Sequence, residues 1–144
     1  MNGKALSFYI NDKMFGLDIK LVKEISRRFE YSHIPDANPN IVGLMNLRGQ
    51  VVTLFNLGRI LGLTKDEEAE ISNAACIILK AHSNNPNHVG FLIDRPGDVL
   101  DIASEWCEKT PANVEEVNTE MIREVVKLDN ELLLILDSEK VFRF

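Results

Sequence analysis

Three histidines, two cysteines, a closely spaced aspartate pair and an arginine inside an apolar run are the residues of this chain whose types could do chemistry. Nucleophilic catalysis needs a base beside the nucleophile, and a metal site needs several ligands at short spacing. His33, His82 and His88 fall at strand ends or in loops, without neighbours at ligand spacing, and read as surface histidines. Cys76 sits in the apolar run AACIIL as a small buried hydrophobe, and Cys107 lies far from it. With no CxxC and no Cys/His cluster, neither a zinc site nor a disulfide framework is expected. Asp94 and Asp98 flank a turn in IDRPGD, where local hydrogen bonding to backbone accounts for them more simply than paired-carboxylate catalysis. Trp106, the single tryptophan, could anchor an interface, but core or half-buried packing is the more frequent role. There is no nucleophile elbow, no Walker-type phosphate loop and no GxGxxG opening a helix. These residues point away from an enzyme, a cofactor or a metal, and toward a binding module.

Arg48 stands apart. It lies at the centre of NIVGLMNLRGQVVTLFNLGRILGL, the most hydrophobic segment of the chain. No substrate-handling partner accompanies it, so a catalytic cation is not supported. Arg48-Gly49 reads instead as a hairpin-like bend, with the charge reaching the surface while Leu47 and Val51 face inward.

The elements that position this arginine are mostly short β-like runs. LSFYI, the turn NDK and MFGLDI read as an opening hairpin, and VKEISRRFEY as a strand with one wet face. HIPDANPN is a loop whose Pro39 can start a short helical turn. Leu57, Ile60, Leu61 and Leu63 have the spacing of one short helix against a core. The acidic TKDEEAEISN reads as a solvated linker. AACIILKAH and HVGFLID then flank an Asn/Pro turn, followed by DVLDI. IREVVKL and ELLLIL form a last hairpin around Asp129-Asn130, and Asp137 or Ser138 caps a final short helix. About ten short strands suggest a barrel or a pair of small barrels rather than a βαβ fold.

The 144 residues correspond to one domain or two closely packed subdomains, and can bury a sizeable core. A net charge of −6 argues against nucleic acid or an anionic membrane surface as main partner. The opening MNGKALSFYI has no long apolar region, so no signal peptide is expected, and no run is long enough to insert into a bilayer. A cytoplasmic protein is expected.

Taken in order, several of these segments resemble the CheW family, the coupling proteins of bacterial chemotaxis arrays. NPNIVGLMNLRGQVVTLFNL carries the resemblance, with its proline-containing loop, its glycine, the tetrapeptide Asn-Leu-Arg-Gly and an apolar strand. FYINDKMFGLDIKLVKEI resembles the opening hairpin and a Val-x-Glu-Ile element. HVGFLIDRPGDVLDI and VVKLDNELLLILDSEKVF resemble the second-half segments, so the likeness is collinear over nearly the whole chain.

The resemblance implies a mostly β, CheW-like fold of two packed five-stranded SH3-like β-barrel subdomains with short helices. Their division is placed near residues 64–73, with terminal strands open to sharing. It also implies a non-catalytic adaptor between the cytoplasmic hairpin tip of chemoreceptors and the regulatory domain of the histidine kinase CheA. Such an adaptor is recruited to membrane-associated arrays without entering the membrane. By the same resemblance Arg48 and Gly49 fall on the Arg-Gly of the signature, and Glu24 on its paired glutamate beside the receptor groove. Val22 and Gly43 fall on receptor-binding positions, with Ile25 as a neighbour; no residue is assigned to the kinase surface. The chain departs from the pattern at Thr53, where proline is expected, at Asn56 in place of aspartate, where asparagine can still cap the helix, and at Gly58 where arginine is common. These departures leave open a regulatory module of another chemosensory system. A small-ligand sensory domain is the further alternative, although no convergent polar set marks a pocket.

Overall fold

The apolar runs form eleven strands in the computed structural model, which describes residues 1–27, 29–34, 38–63, 75–80, 88–109 and 117–141. They are β1 (Gly3–Ile10), β2 (Lys13–Asp18), β3 (Val22–Ser26), β4 (Ile41–Leu47), β5 (Gln50–Asn56), β6 (Ala75–Leu79), β7 (His88–Ile93), β8 (Arg95–Ile102), β9 (Cys107–Glu108), β10 (Ile122–Lys127) and β11 (Leu132–Leu136). Two one-turn helices follow strands: α1 (Leu57–Ile60) and α2 (Ser138–Val141). The expected capping holds, since Asn56 Oδ1 accepts the Arg59 N–H at 3.1 Å. At the second helix it is Asp137, not Ser138, whose Oδ1 accepts from Glu139 and Lys140.

The strands divide into a six-stranded sheet, β8-β1-β2-β11-β10-β9, and a five-stranded sheet, β3-β6-β7-β5-β4. The sixth strand of the larger sheet is the two-residue β9. The linker expected around residues 64–73 lies outside the described residues. The opening hairpin β1–β2 shares its sheet with the C-terminal strands, and β11 pairs parallel to β2.

Packing explains why the strands read as continuous apolar runs rather than as strict alternations. One core lies between the sheets, with Phe8, Phe15 and Leu134 from one side and Phe55, Ile77 and Phe91 from the other. Each sheet also buries its second face, on which Met14, Val126, Leu133 and Ile135 cluster in the larger sheet and Met45, Val52, Leu54, Cys76 and Ile78 in the smaller. All five residues of β6 are therefore buried. A sheet that buries its second face mainly under its own residues curls over them, which is the barrel geometry the resemblance implies.

Several local expectations change. β3 stops at Ser26 instead of running through Tyr31, because Phe29 and Tyr31 leave the sheet to pack on the smaller cluster. Pro39 and Asn40 form only a turn, in which Asn38 Oδ1 accepts the Asn40 N–H. Asp94 and Asp98 do not flank a local turn. The Asp94 carboxylate reaches the β1–β2 turn and accepts the Asn11 N–H at 2.6 Å, while Asn11 Nδ2 donates to Leu63 O. Asp98 lies within β8, where its backbone N–H and C=O both bond the hydroxyl of the buried Ser7. Trp106 is 52% exposed, so it is not a core residue. His33 is exposed, His88 is half-buried rather than on the surface, and His82 lies outside the described residues.

Candidate functional site

The tetrapeptide Asn46-Leu47-Arg48-Gly49 forms the tip of the β4–β5 hairpin, and each of its residues has a distinct physical task. Leu47 pairs with Gln50, leaving Arg48 and Gly49 as a two-residue loop. Both have positive φ, +51° at Arg48 and +85° at Gly49, as the type I′ turn favoured in hairpins requires. Glycine accepts that conformation freely, whereas arginine does so only when its surroundings hold it there. Asn46 supplies part of the hold, its Oδ1 accepting the Gly49 N–H at 2.9 Å. Leu47 supplies another, packing half-buried on the cluster inside the smaller sheet.

Glu24 supplies the third. Both its carboxylate oxygens accept from Arg48 Nη2, at 3.1 and 3.0 Å. Beside this pair Lys23 Nζ donates to Gln50 Oε1 at 3.1 Å. In a flat sheet β3 would stand three strand spacings from β5 and four from β4, about 14 to 19 Å at ~4.8 Å per strand. The side-chain contacts exist because the sheet curls until its edge strand β3 faces the tip of the hairpin.

A bulge between Val22 and Glu24 shapes the β3 side of this seam. The extra residue, Lys23, breaks the alternation, so neighbouring residues serve one target instead of opposite faces. Val22 and Ile25 are half-buried and pack against the core between the sheets. The Arg48 side chain is 73% exposed and that of Glu24 24%. An ion pair this open contributes about 0–1 kcal/mol to stability, which leaves the guanidinium available to a partner.

One sequence expectation fails here. Val51 does not face inward but is 59% exposed, because Val52 and Leu54 occupy the inward positions of β5 and put Val51 on the other face. Gly43, which the resemblance places on a receptor-binding position, is buried. A β-carbon there would lie 2.4 Å from the Ser32 carbonyl oxygen, since Ser32 pairs with Leu44 directly over the glycine. Glu24, Arg48 and Gly49 thus meet at one seam; Val22 and Ile25 flank Glu24 along β3 but pack on the core between the sheets, and Gly43 lies buried within β4, the strand that leads into the hairpin tip. Sequence reasoning missed Asn46 and the Lys23–Gln50 contact. The Asn-x-x-Gly spacing around a hairpin loop was the available signal for Asn46; Lys23–Gln50 had none.

The chemistry of this seam is that of recognition. Among the described residues no cluster of histidine, cysteine and carboxylate side chains could hold a metal ion, and no helix is long and apolar enough to cross a membrane. Burial pushes the Cys76 thiol up to about 12, with the Glu24 charge adding to the effect, so it is an inert core group. An exposed cation held on a turn at a hairpin tip, in a fold of two β-sheets, is the surface of a β-sheet binding module.

The comparisons with known proteins specify which one. The model of the CheW-like domain matches residues 4–144. The chemotaxis protein CheW of Bacillus subtilis is 30% identical over 138 residues, spanning 96% of this chain and 85% of that one. The CheW of Thermotoga maritima is 29% identical, over 96% and 86% of the two chains. The crystal structure of the scaffolding protein TtCheW from Thermoanaerobacter tengcongensis superposes with a TM-score of 0.82 at 24% identity, covering 100% of this chain and 94% of that one. The chain belongs to the CheW-like family, and its function is that of a non-catalytic coupling adaptor in chemotaxis signalling.

Proposed function

We propose that this chain couples the cytoplasmic hairpin tip of chemoreceptors to the regulatory domain of the histidine kinase CheA, in arrays to which it is recruited beneath the membrane. The observation that carries the receptor half of this reading is the exposed Arg48, fixed in a positive-φ turn and clasped by Glu24 beside Val22 and Ile25. Interfaces of this type are anchored by apolar side chains and edged by charges that set register. Arg48 is the residue that reaches the receptor, and Glu24 holds it. Gly49 and Gly43 act through the backbone. Val22 and Ile25 offer the apolar contact. The kinase-facing surface carries no assigned residue.

Co-sedimentation tests the reading directly. The protein mixed with a receptor cytoplasmic fragment and CheA should enter the pelleted assembly with both. A chain that stays in the supernatant with either partner, yet melts normally, would sink this function. The small-ligand alternative predicts the reverse, a melting temperature that rises with a metabolite and no assembly.

A further inference from the structure

The bulge in β3 aims consecutive residues, Lys23 and Glu24, at opposite flanks of the same two-residue loop. Glu24 takes Arg48 inside the loop, and Lys23 takes Gln50, the first residue after it. The loop is thereby tied at its tip and at its exit, while Asn46 ties its entry through the Gly49 N–H. A single exposed ion pair leaves a long guanidinium free to swing, because it gains little against side-chain entropy. Two contacts from adjacent residues of one strand restrict where the hairpin tip can sit across the seam, which pre-places Arg48 for a partner.

We infer that Lys23, through Gln50, is a positioning residue for Arg48, and that the Lys23–Gln50 bond and the Glu24–Arg48 pair act as one clasp. This rests on the reading of Arg48 as the receptor contact, but its structural half stands independently. Lys23 is exposed, and among the described residues its ammonium bonds only Gln50. Its removal therefore leaves the core untouched. Lys23→Met keeps the apolar stem and deletes the donor; Gln50→Met deletes the acceptor.

The first readout needs no partner: the 15N-labelled arginine side-chain Nε–Hε signal of Arg48 in the free protein. In Lys23→Met that signal should shift and lose protection from solvent exchange, while the melting temperature stays near wild type. The second readout is affinity for a soluble fragment of a chemoreceptor hairpin tip. Lys23→Met and Gln50→Met should each weaken it about threefold to fivefold, and the double variant no further, as coupled residues require. An Arg48 signal unchanged in Lys23→Met overturns the clasp. A signal that moves while Arg48→Ala leaves affinity at the wild-type value keeps the clasp and removes the receptor reading. Additive losses in the double variant would show two independent contacts and overturn the inference.

Discussion

The Arg48 guanidinium and the Glu24 carboxylate meet at 3.0 Å, although β3 and β4 are the opposite edges of one five-stranded sheet. The contact joins a strand edge to a hairpin tip, so it reports both on the curl of the sheet and on the surface that the curl creates. Separating those two roles is the first task for mutagenesis.

Arg48→Ala and Arg48→Gly divide the problem. Both remove the cation, but glycine also relieves the positive φ, which costs a non-glycine residue about 1 kcal/mol. Arg48→Gly should therefore melt at or above the wild-type temperature, and Arg48→Ala within a few degrees below it. Both should lose about tenfold in affinity for a receptor-tip fragment, a rim charge acting on recognition more than on stability. Wild-type affinity in the glycine variant, measured by calorimetry, would remove the side chain from the interface.

Gly43→Asp should destabilise the fold instead of merely obstructing a partner. The Ser32 carbonyl occupies the space of a β-carbon, and backbone cannot yield as a flexible side chain can. Even Gly43→Ala should cost about 2 kcal/mol or more in denaturant unfolding. A fully stable Gly43→Ala would contradict the close approach of residues 31–32 to β4.

Asn46→Ala removes the acceptor for the Gly49 N–H and should cost about 1 kcal/mol. Amide exchange is the sharper measurement, because the Gly49 proton should lose protection while that of Leu44, bonded to Ser32, keeps it. Equal protection of Gly49 in both proteins would place the hold on the turn elsewhere.

The two thiols should react very differently. Cys107 is half-buried and should be modified by a thiol reagent in the native protein, whereas Cys76 should react only after unfolding. The alkaline limb follows from the same burial. The Cys76 thiol titrates near 9.0 when unfolded and at about 12 when folded, so the unfolded state loses its proton first. Its contribution to stability is intact below pH 9.0 and declines as pH rises from there toward about 12. Native-state labelling of Cys76 at a rate like that of Cys107 would show that the inner cluster opens readily.

How much of this was legible in the sequence follows from the range of the interactions involved. The hairpins β1–β2 and β10–β11, the Arg48-Gly49 turn and the Asn56 cap rest on residues within a few positions of one another, and those were readable. Strand ends were less so, because double-sided burial erases the alternation that marks a face. That is also why Val51 reads as an inward residue in an apolar run and yet is exposed. Gly43 and Asp94 depend on neighbours brought in by the fold, Ser32 over one and Asn11 beside the other. The resemblance located Glu24 beside Arg48, which spacing along the chain could not. The bulge that turns Lys23 toward Gln50 has no local signature, since any residue can be the extra one.

The placement of β11 has a consequence for how the molecule is made. This strand lies between β2 and β10, so the larger sheet lacks its centre until residues 132–136 have emerged from the ribosome. The opening hairpin, synthesised first, must wait with its apolar faces uncovered for a partner more than a hundred positions downstream, its Met14 destined for Leu133. Closing so long a loop is slow. Nascent chains stalled just before Leu132 should therefore stay protease-sensitive and in need of a chaperone, and release of the last strand should bring the whole sheet to order in one step.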